Sequence, residues 1–395
     1  MKETMLNTHF SPWPSFTQEE ADAIQNVLLS NRVNYWTGTE GRQFENEYAS
    51  YCECDYAVAL SNGTTALELA LRSLGIGQAD EVIVTPRTFI ASASAIVTVG
   101  ATPVFADVGP DNGNINASSI NNVLTSRTKA IICVHLAGWP CDMDPIMELA
   151  TKHGLYIIED CAQAHGAKYK SRPVGSIGHI GTWSFCQDKI ITTGGEGGMI
   201  TTNAHDLWSR IWSYKDHGKS FDAVYRADPL PGFRWLHEGF GSNMRMTEMQ
   251  AAIGRIQLRR MPQWHSRRLA NARRIWNCAQ SLPGLRVPAL PSDIDHAAYK
   301  CYLYVEPDRL KRGWNRDRII QEIKARDVPC FSGTCSEVYL EKAFDDTNYR
   351  PVHSLPTAKM LGDTSLMFLV HPTLTEHEIE LTCNILSDVM RSAAT

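Results

Sequence analysis

Lys189 stands in Ser184-Phe185-Cys186-Gln187-Asp188-Lys189, just ahead of the glycine-rich run Thr192-Thr193-Gly194-Gly195-Glu196-Gly197-Gly198, and Asp160 closes an apolar run upstream. An amine, a carboxylate at a strand end and a glycine-walled loop are the parts that pyridoxal phosphate needs. Its aldehyde requires an amine for a Schiff base, its pyridine nitrogen an acid partner, and its phosphate a set of backbone donors.

Each part has its own context. Asp160 ends Leu155-Tyr156-Ile157-Ile158-Glu159-Asp160, where a carboxylate can sit under a pyridine nitrogen and hold its proton through a charge-assisted bond. The competing use of Asp160 is as a helix N-cap. Strand alternation turns the neighbouring Glu159 to the other face. Gln163 follows at a spacing that reaches the ring or its phenolic oxygen. Ser61-Asn62-Gly63-Thr64-Thr65-Ala66-Leu67 lies between a strand and a helix, so its N–H groups, the bare Gly63 and the Thr64 hydroxyl form an anion site suited to a phosphate monoester. Ser184 is placed to add a hydroxyl to that cradle. For Lys189 the competing reading is a solvated loop lysine; the apolar Thr182-Trp183-Ser184-Phe185 before it and the glycines after it favour a desolvated amine.

These residues need a scaffold, and the first half of the chain supplies its pattern. Short β-rich runs at Tyr56–Leu60, Glu81–Val84, Pro103–Phe105, Ala130–Val134 and Leu155–Ile158 alternate with helical runs at Thr64–Leu74 and Phe89–Val99. Repeated strand, helix, strand predicts an α/β fold with a mostly parallel, doubly wound sheet covered on both faces, and ligands then lie off the carboxyl ends of the strands. Helical spacing predicts a long helix over Thr247–Met261, with a large domain over 1–260 and a small C-terminal α+β domain over 261–395. The latter holds a strand at Tyr302–Val305, a helix from about Asp317 to Arg326, and a closing helix opened by the Thr375/Glu378 capping box. Thr17 and Glu20 form the same signature at an N-terminal helix. Asp216–His237, rich in Gly, Pro and aromatics, reads as a long functional loop.

At 395 residues there is ample chain for two cores, and 43% hydrophobic with 21% charged residues is ordinary globular usage. The formal charge of -5 disfavours nucleic acid, and no run approaches a membrane span. Residues 1–15 lack the features of an export signal. Eleven scattered cysteines fit a reducing cytoplasm, and Cys52 and Cys54, without a second half-site, predict no metal.

Taken in order, six blocks make the chain resemble the DegT-type (DegT/DnrJ/StrS) sugar aminotransferases, pyridoxal phosphate enzymes of the aspartate aminotransferase fold, fold type I. The blocks are Ser61–Leu67, Thr85-Pro86-Arg87-Thr88-Phe89, Val134-His135-Leu136, Glu159–Gly166, Ser184-Phe185 with Lys189, and Gly241-Ser242-Asn243-Met244-Arg245-Met246. The resemblance implies that Lys189 carries the Schiff base, Asp160 pairs with the pyridine nitrogen, Gly63, Thr64 and Ser184 hold the phosphate, and Phe89 stacks on the ring, although a core phenylalanine is the plainer reading of that residue. It implies that Asn243 reaches the phosphate of the neighbouring subunit in a homodimer and that Arg245 binds a substrate carboxylate. His135 and His165 then orient strand ends. The expected activity is transfer of an amino group from L-glutamate to a nucleotide-linked keto-sugar, at C4 in preference to C3, in amino-sugar synthesis for surface polysaccharide or O-antigen. A cyclitol aminotransferase is the alternative within the family. A sugar 3-dehydratase would carry histidine where Lys189 stands, and a non-catalytic regulatory protein of this fold would not need Lys189, Asp160 and Gln163 together. One glycine more than Thr-Thr-Gly-Glu-Gly-Gly after Lys189, and the lack of a Pro and His pattern near Phe331–Glu337, set the chain apart from many members.

Overall fold

A computed structural model describes residues 8–225 and 234–395. Its central feature is a seven-stranded sheet. In chain order the first nine strands are β1 (Tyr56–Leu60), β2 (Glu81–Val84), β3 (Thr102–Phe105), β4 (Thr128–Val134), β5 (Tyr156–Asp160), the short β6 (Lys168–Tyr169) and β7 (Arg172–Pro173), β8 (Ile180–Ser184) and β9 (Gly198–Thr202). The large sheet runs β1-β9-β8-β5-β4-β2-β3. Pairings from β3 through β8 are parallel, and β9 is antiparallel to both β8 and β1.

Period-two alternation explains why these runs are apolar throughout. Val82, Val84, Ile132 and Ile158 enter one core, while Ile83, Ile131, Cys133 and Ile157 enter another on the opposite face. The expected strands are present, β4 beginning two residues earlier and β5 ending two residues later than the apolar pattern indicates, so that β5 carries Glu159 and Asp160 within the sheet. Every strand except β9 runs toward the same edge, where Leu60, Val84, Val134, Asp160 and Ser184 end. The turn after β1 enters the helix Gly63–Ser73, with the Asn62 side chain accepting from the Thr65 N–H at 2.9 Å.

The long helix runs over Glu248–Gln280 and continues through Pro262. Proline costs a helix interior roughly 3 kcal/mol. Here Asn271, Ala272, Ile275, Trp276 and Ala279 extend the buried stripe beyond it, and that burial outweighs the lost hydrogen bond. The remaining strands are β10 (Leu285–Arg286), β11 (Ile294–Asp295), β12 (Cys301–Val305), β13 (Cys330–Phe331) and β14 (Ser365–Phe368). Four form an antiparallel sheet, β10-β12-β14-β13, over its own apolar core, and β11 pairs with β6. The closing helix Glu376–Ala393 has the expected box, the Thr375 N–H donating to Glu378 Oε2 at 2.7 Å. Thr17 donates its N–H to Glu20 in the same way, at 2.9 Å.

Arg87 links the two sheets. Fully buried, it donates to the hydroxyls of Ser336 and Ser365, each at 2.8 Å, and lies over the Tyr302 ring. Of the expected loop Asp216–His237, residues 226–233 lie outside the described residues; Phe221–Tyr225 forms a short helix and Lys219 bridges to His237. No helix among the described residues is long and apolar enough to cross a membrane.

Candidate active site

Two cavities meet at the carboxyl edge of the large sheet. The inner one, of about 700 Å³, is lined by Gly63, Thr64, Ser92, Asp160, Ser184 and Lys189, among others. The outer one, of about 660 Å³, opens toward β12 and β13, past Tyr299, Lys300 and Thr334. Phe89, Gln163, Asp188 and Lys189 line both.

Asp160 forms the buried floor of the inner cavity. Its Oδ2 accepts from the Ser92 hydroxyl at 2.8 Å and its Oδ1 from the Ala162 N–H at 3.1 Å, while Thr88 and Ser92 share a hydroxyl contact of 2.9 Å. Burial pushes the carboxyl up despite those two bonds, because none of its hydrogen-bond partners is a cation. A protonated pyridine nitrogen supplies what such a carboxylate lacks. Glu159 faces the opposite way, as alternation requires: its carboxylate accepts from the N–H groups of Gly175, Ile177 and Gly178 at 2.7–2.9 Å. His135 Nδ1 accepts from the Cys141 N–H, so its Nε2 donates to Glu159 at 2.9 Å. His165, packed on Trp183 and Phe185, is pushed down to about 3 by burial and by the Lys189 and Arg268 cations, so its ring is neutral. Among the described residues His135, Glu159 and Cys161 come close enough to share an ion, but the Glu159 oxygens are already filled by these hydrogen bonds.

The wall opposite Asp160 is shaped to admit an anion. A Cβ added at Gly63 would lie 2.6 Å from the Ser184 Cβ, so only glycine lets the first turn of the helix approach β8. Thr64 is exposed toward the inner cavity. A floor carboxylate lacking a cation, a cradle that a Cβ would fill and a lysine between them fit pyridoxal phosphate.

Lys189 is mostly buried, its side chain 17% exposed, with Nζ 3.6 Å from Asp188 Oδ1 and 5.4 Å from the centre of the Tyr299 ring. Burial alone would raise the Asp188 carboxyl, but the Lys189 ammonium and the Tyr299 hydroxyl, which donates to it, carry it below its ordinary value. The Lys189 carbonyl accepts from Trp13 Nε1 at 2.8 Å, fastening the N-terminal segment to this loop. Gln163 is held by the Ala137 N–H at 2.8 Å. Phe89 is 67% exposed at the mouth of both cavities, which rules out the core reading of that residue.

Asn243 and Arg245 line neither cavity. Asn243 is exposed and bridge-paired with Asp216, and the Arg245 guanidinium is bonded to the buried Asp216 carboxylate. Residues that the sequence reading overlooked complete the site: Trp13, Ser92, Asp188, Tyr299 and Lys300. Thr88 and Ser92, four apart at a helix start, carried a signal, as did an acid directly before Lys189; nothing local marked Trp13 or Tyr299.

The sequence profile of the DegT/DnrJ/EryC1/StrS aminotransferase family matches residues 14–387. The chain is 36% identical over 352 residues to a dTDP-3-amino-3,4,6-trideoxy-alpha-D-glucose transaminase of Streptomyces venezuelae, covering 89% of this chain and 87% of the relative. It is 37% identical over 375 residues to a GDP-perosamine synthase of Caulobacter vibrioides, covering 90% and 92%. An X-ray structure of an aminotransferase from Psychrobacter cryohalolentis superposes with a TM-score of 0.95 at 63% identity, over 97% of this chain and 99% of that one.

Proposed function

The chain belongs to the DegT/DnrJ/EryC1/StrS aminotransferase family and is a pyridoxal phosphate-dependent aminotransferase, and on that premise we propose that it transfers an amino group from L-glutamate to a nucleotide-linked 4-keto-6-deoxyhexose. The observation that carries this reading is the position of Lys189 in the wall common to both cavities, facing the Asp160 floor on one side and an outer chamber on the other. A relative named for a 3-amino sugar and another named for perosamine support a keto-sugar acceptor; C4 is preferred here to C3.

Bound in the inner cavity, pyridoxal phosphate supplies an aldehyde to take up the amino group and a ring to withdraw electrons from the reacting carbon. Lys189 Nζ would hold the cofactor at rest and, once freed, take the proton from the donor carbon that bears nitrogen. Asp160 would keep the ring nitrogen protonated, with Ser92 orienting the carboxylate. Gly63 and the backbone N–H groups at the helix start would hold the phosphate, joined by the Thr64 and Ser184 hydroxyls. Phe89 would cover the ring and Gln163 its oxygen. Donor and acceptor would use the same lysine in turn, which predicts ping-pong kinetics.

The same reading includes a cytoplasmic homodimer in which Asn243 completes the partner's phosphate site. The exposure of Asn243, away from this chain's own cavities and close in sequence to the exposed Trp235 and Phe240, supports it. The division into 1–260 and 261–395 is likewise proposed: proteolytic fragments ending near 260 would favour it, and fragments ending beyond 280 would count against it.

An absorbance scan tests the function directly. The expected yellow band bleaches with L-glutamate and returns with one keto-sugar nucleotide. A protein that binds pyridoxal phosphate but is not bleached by any amino acid would refute the transaminase reading, and Lys189→Ala should abolish borohydride trapping of the cofactor.

A further inference from the structure

The outer cavity contains a cation to which the reaction outlined above gives no task. Lys300, directly before β12, is 9% exposed and lines this cavity with Tyr299 and Thr334. Its Nζ lies 4.8 Å from the centre of the Tyr299 ring, the ring that Lys189 also approaches. The other cations there are engaged. Lys189 lies against Asp188, Arg316 is bonded to the Gly362 carbonyl and to Asp317, and Lys324 lies against the Phe331 ring. Lys300 Nζ makes no hydrogen bond or ion pair among the described residues.

The Lys300 residue is largely desolvated, yet it lines the open cavity, and no carboxylate of the described residues is hydrogen-bonded to its ammonium. Such a cation beside a reaction centre is suited to a ligand that brings its own anion. We propose that Lys300 binds a carboxylate of the amino donor, a dicarboxylate of the glutamate class, in the outer cavity. This inference rests on the transaminase reading and names the donor's anchor within it. Arg245, implied by family resemblance for a substrate carboxylate, is bonded to Asp216 and lines neither cavity. One compact ammonium matches one carboxylate, whereas a nucleoside diphosphate carries more charge and calls for several donors.

The electrostatics suit a donor that must bind and then leave. Burial pushes the Lys300 amine down to about 8; Asp188 opposes that, and Arg268 and Lys189 add to it. His371 also faces it, pushed down to about 2 by burial, Arg268 and Lys300, and is therefore neutral. Tyr299 and Tyr302, both with raised hydroxyls, complete the surroundings and stay neutral in this range. The amine is thus charged at neutral pH and loses its proton just above it.

Calorimetric titration of the cofactor-loaded protein with glutarate, which cannot be turned over, tests the proposal. Lys300→Met should weaken glutarate about tenfold or more, and Lys300→Arg should keep most of the affinity. The cofactor absorbance band of each variant reports whether the site is intact. In Lys300→Met KM for L-glutamate should rise far more than kcat falls, and Lys300→Arg should restore most of it. If Lys300→Met does not fold, the native protein still decides: glutarate affinity should fall as pH rises from 7 to 9, and a flat profile would overturn the proposal. Unchanged glutarate affinity in a folded Lys300→Met would also overturn it, as would loss of UDP, GDP or dTDP binding with glutarate untouched. Lys300-dependent glutarate binding without bleaching by L-glutamate would instead refute the transaminase reading and leave the anion site standing.

Discussion

A single methyl group added at residue 63 would lie 2.6 Å from the Ser184 Cβ, well inside the distance at which non-bonded carbons repel. Gly63→Ala should therefore push the helix start away from β8, lowering cofactor affinity about tenfold or more while costing about 1–3 kcal/mol of stability; cofactor titration and thermal unfolding would measure both. Asp160→Asn keeps the shape and removes the charge, so it should lower turnover by about 10² or more with little loss of stability, as steady-state kinetics beside a melting curve would show. At this scale much of the site was legible. Lys189, Asp160, Gly63 and Ser184 belong to runs whose types and order have few other uses. Trp13 and Tyr299 were not legible, because their roles depend on meeting Lys189 from distant parts of the chain. Phe89 has two readings along the chain, and its exposure at the cavity mouth removes the core one.

β5 presents two adjacent carboxylates to opposite faces, and the two have different work. Asp160 faces the inner cavity, while Glu159 ties the loop at Gly175–Gly178, and His135 just past the end of the strand next door, to the sheet. Burial alone would raise the Glu159 carboxyl, yet the His135 bond and the backbone N–H groups hold it below its ordinary value. A carboxyl depressed in the folded state contributes stability that is complete above its unfolded value, about 4.3, and is lost as pH falls through the folded value. Glu159→Gln should thus cost about 2–4 kcal/mol at pH 7 and flatten the acid limb of a stability–pH curve, read by urea unfolding between pH 7 and pH 3. Element type was legible in the chain because short, continuously apolar β-rich runs and helical apolar spacing are local. The continuation of the Glu248–Gln280 helix was not, since a proline reads as a stop unless the packing beyond it is known.

For the whole molecule, the proposed shared site makes a prediction that no single subunit can satisfy. Lys189→Ala and Asn243→Ala each damage the site differently, one from within and one from the partner. Mixed dimers would contain one intact site and one doubly damaged site, so an equal mixture should regain about a quarter of native activity if chains pair at random. Recovery measured after mixing and subunit exchange checks it; no recovery from dimers that have exchanged would place Asn243 in its own subunit's site. By itself the sequence determined the α/β class, the first five strands along the chain and the residues proposed to bind an aldehyde, a ring nitrogen and a phosphate, because these follow from local apolar runs and side-chain chemistry. Only the tertiary structure decided that Arg245 is spent on Asp216, that Asp188 and Tyr299 face Lys189, and that Lys300 lines the outer cavity over the Tyr299 ring with no hydrogen bond or ion pair among the described residues. Pairing and desolvation depend on which distant segments meet, and no spacing along a chain records that.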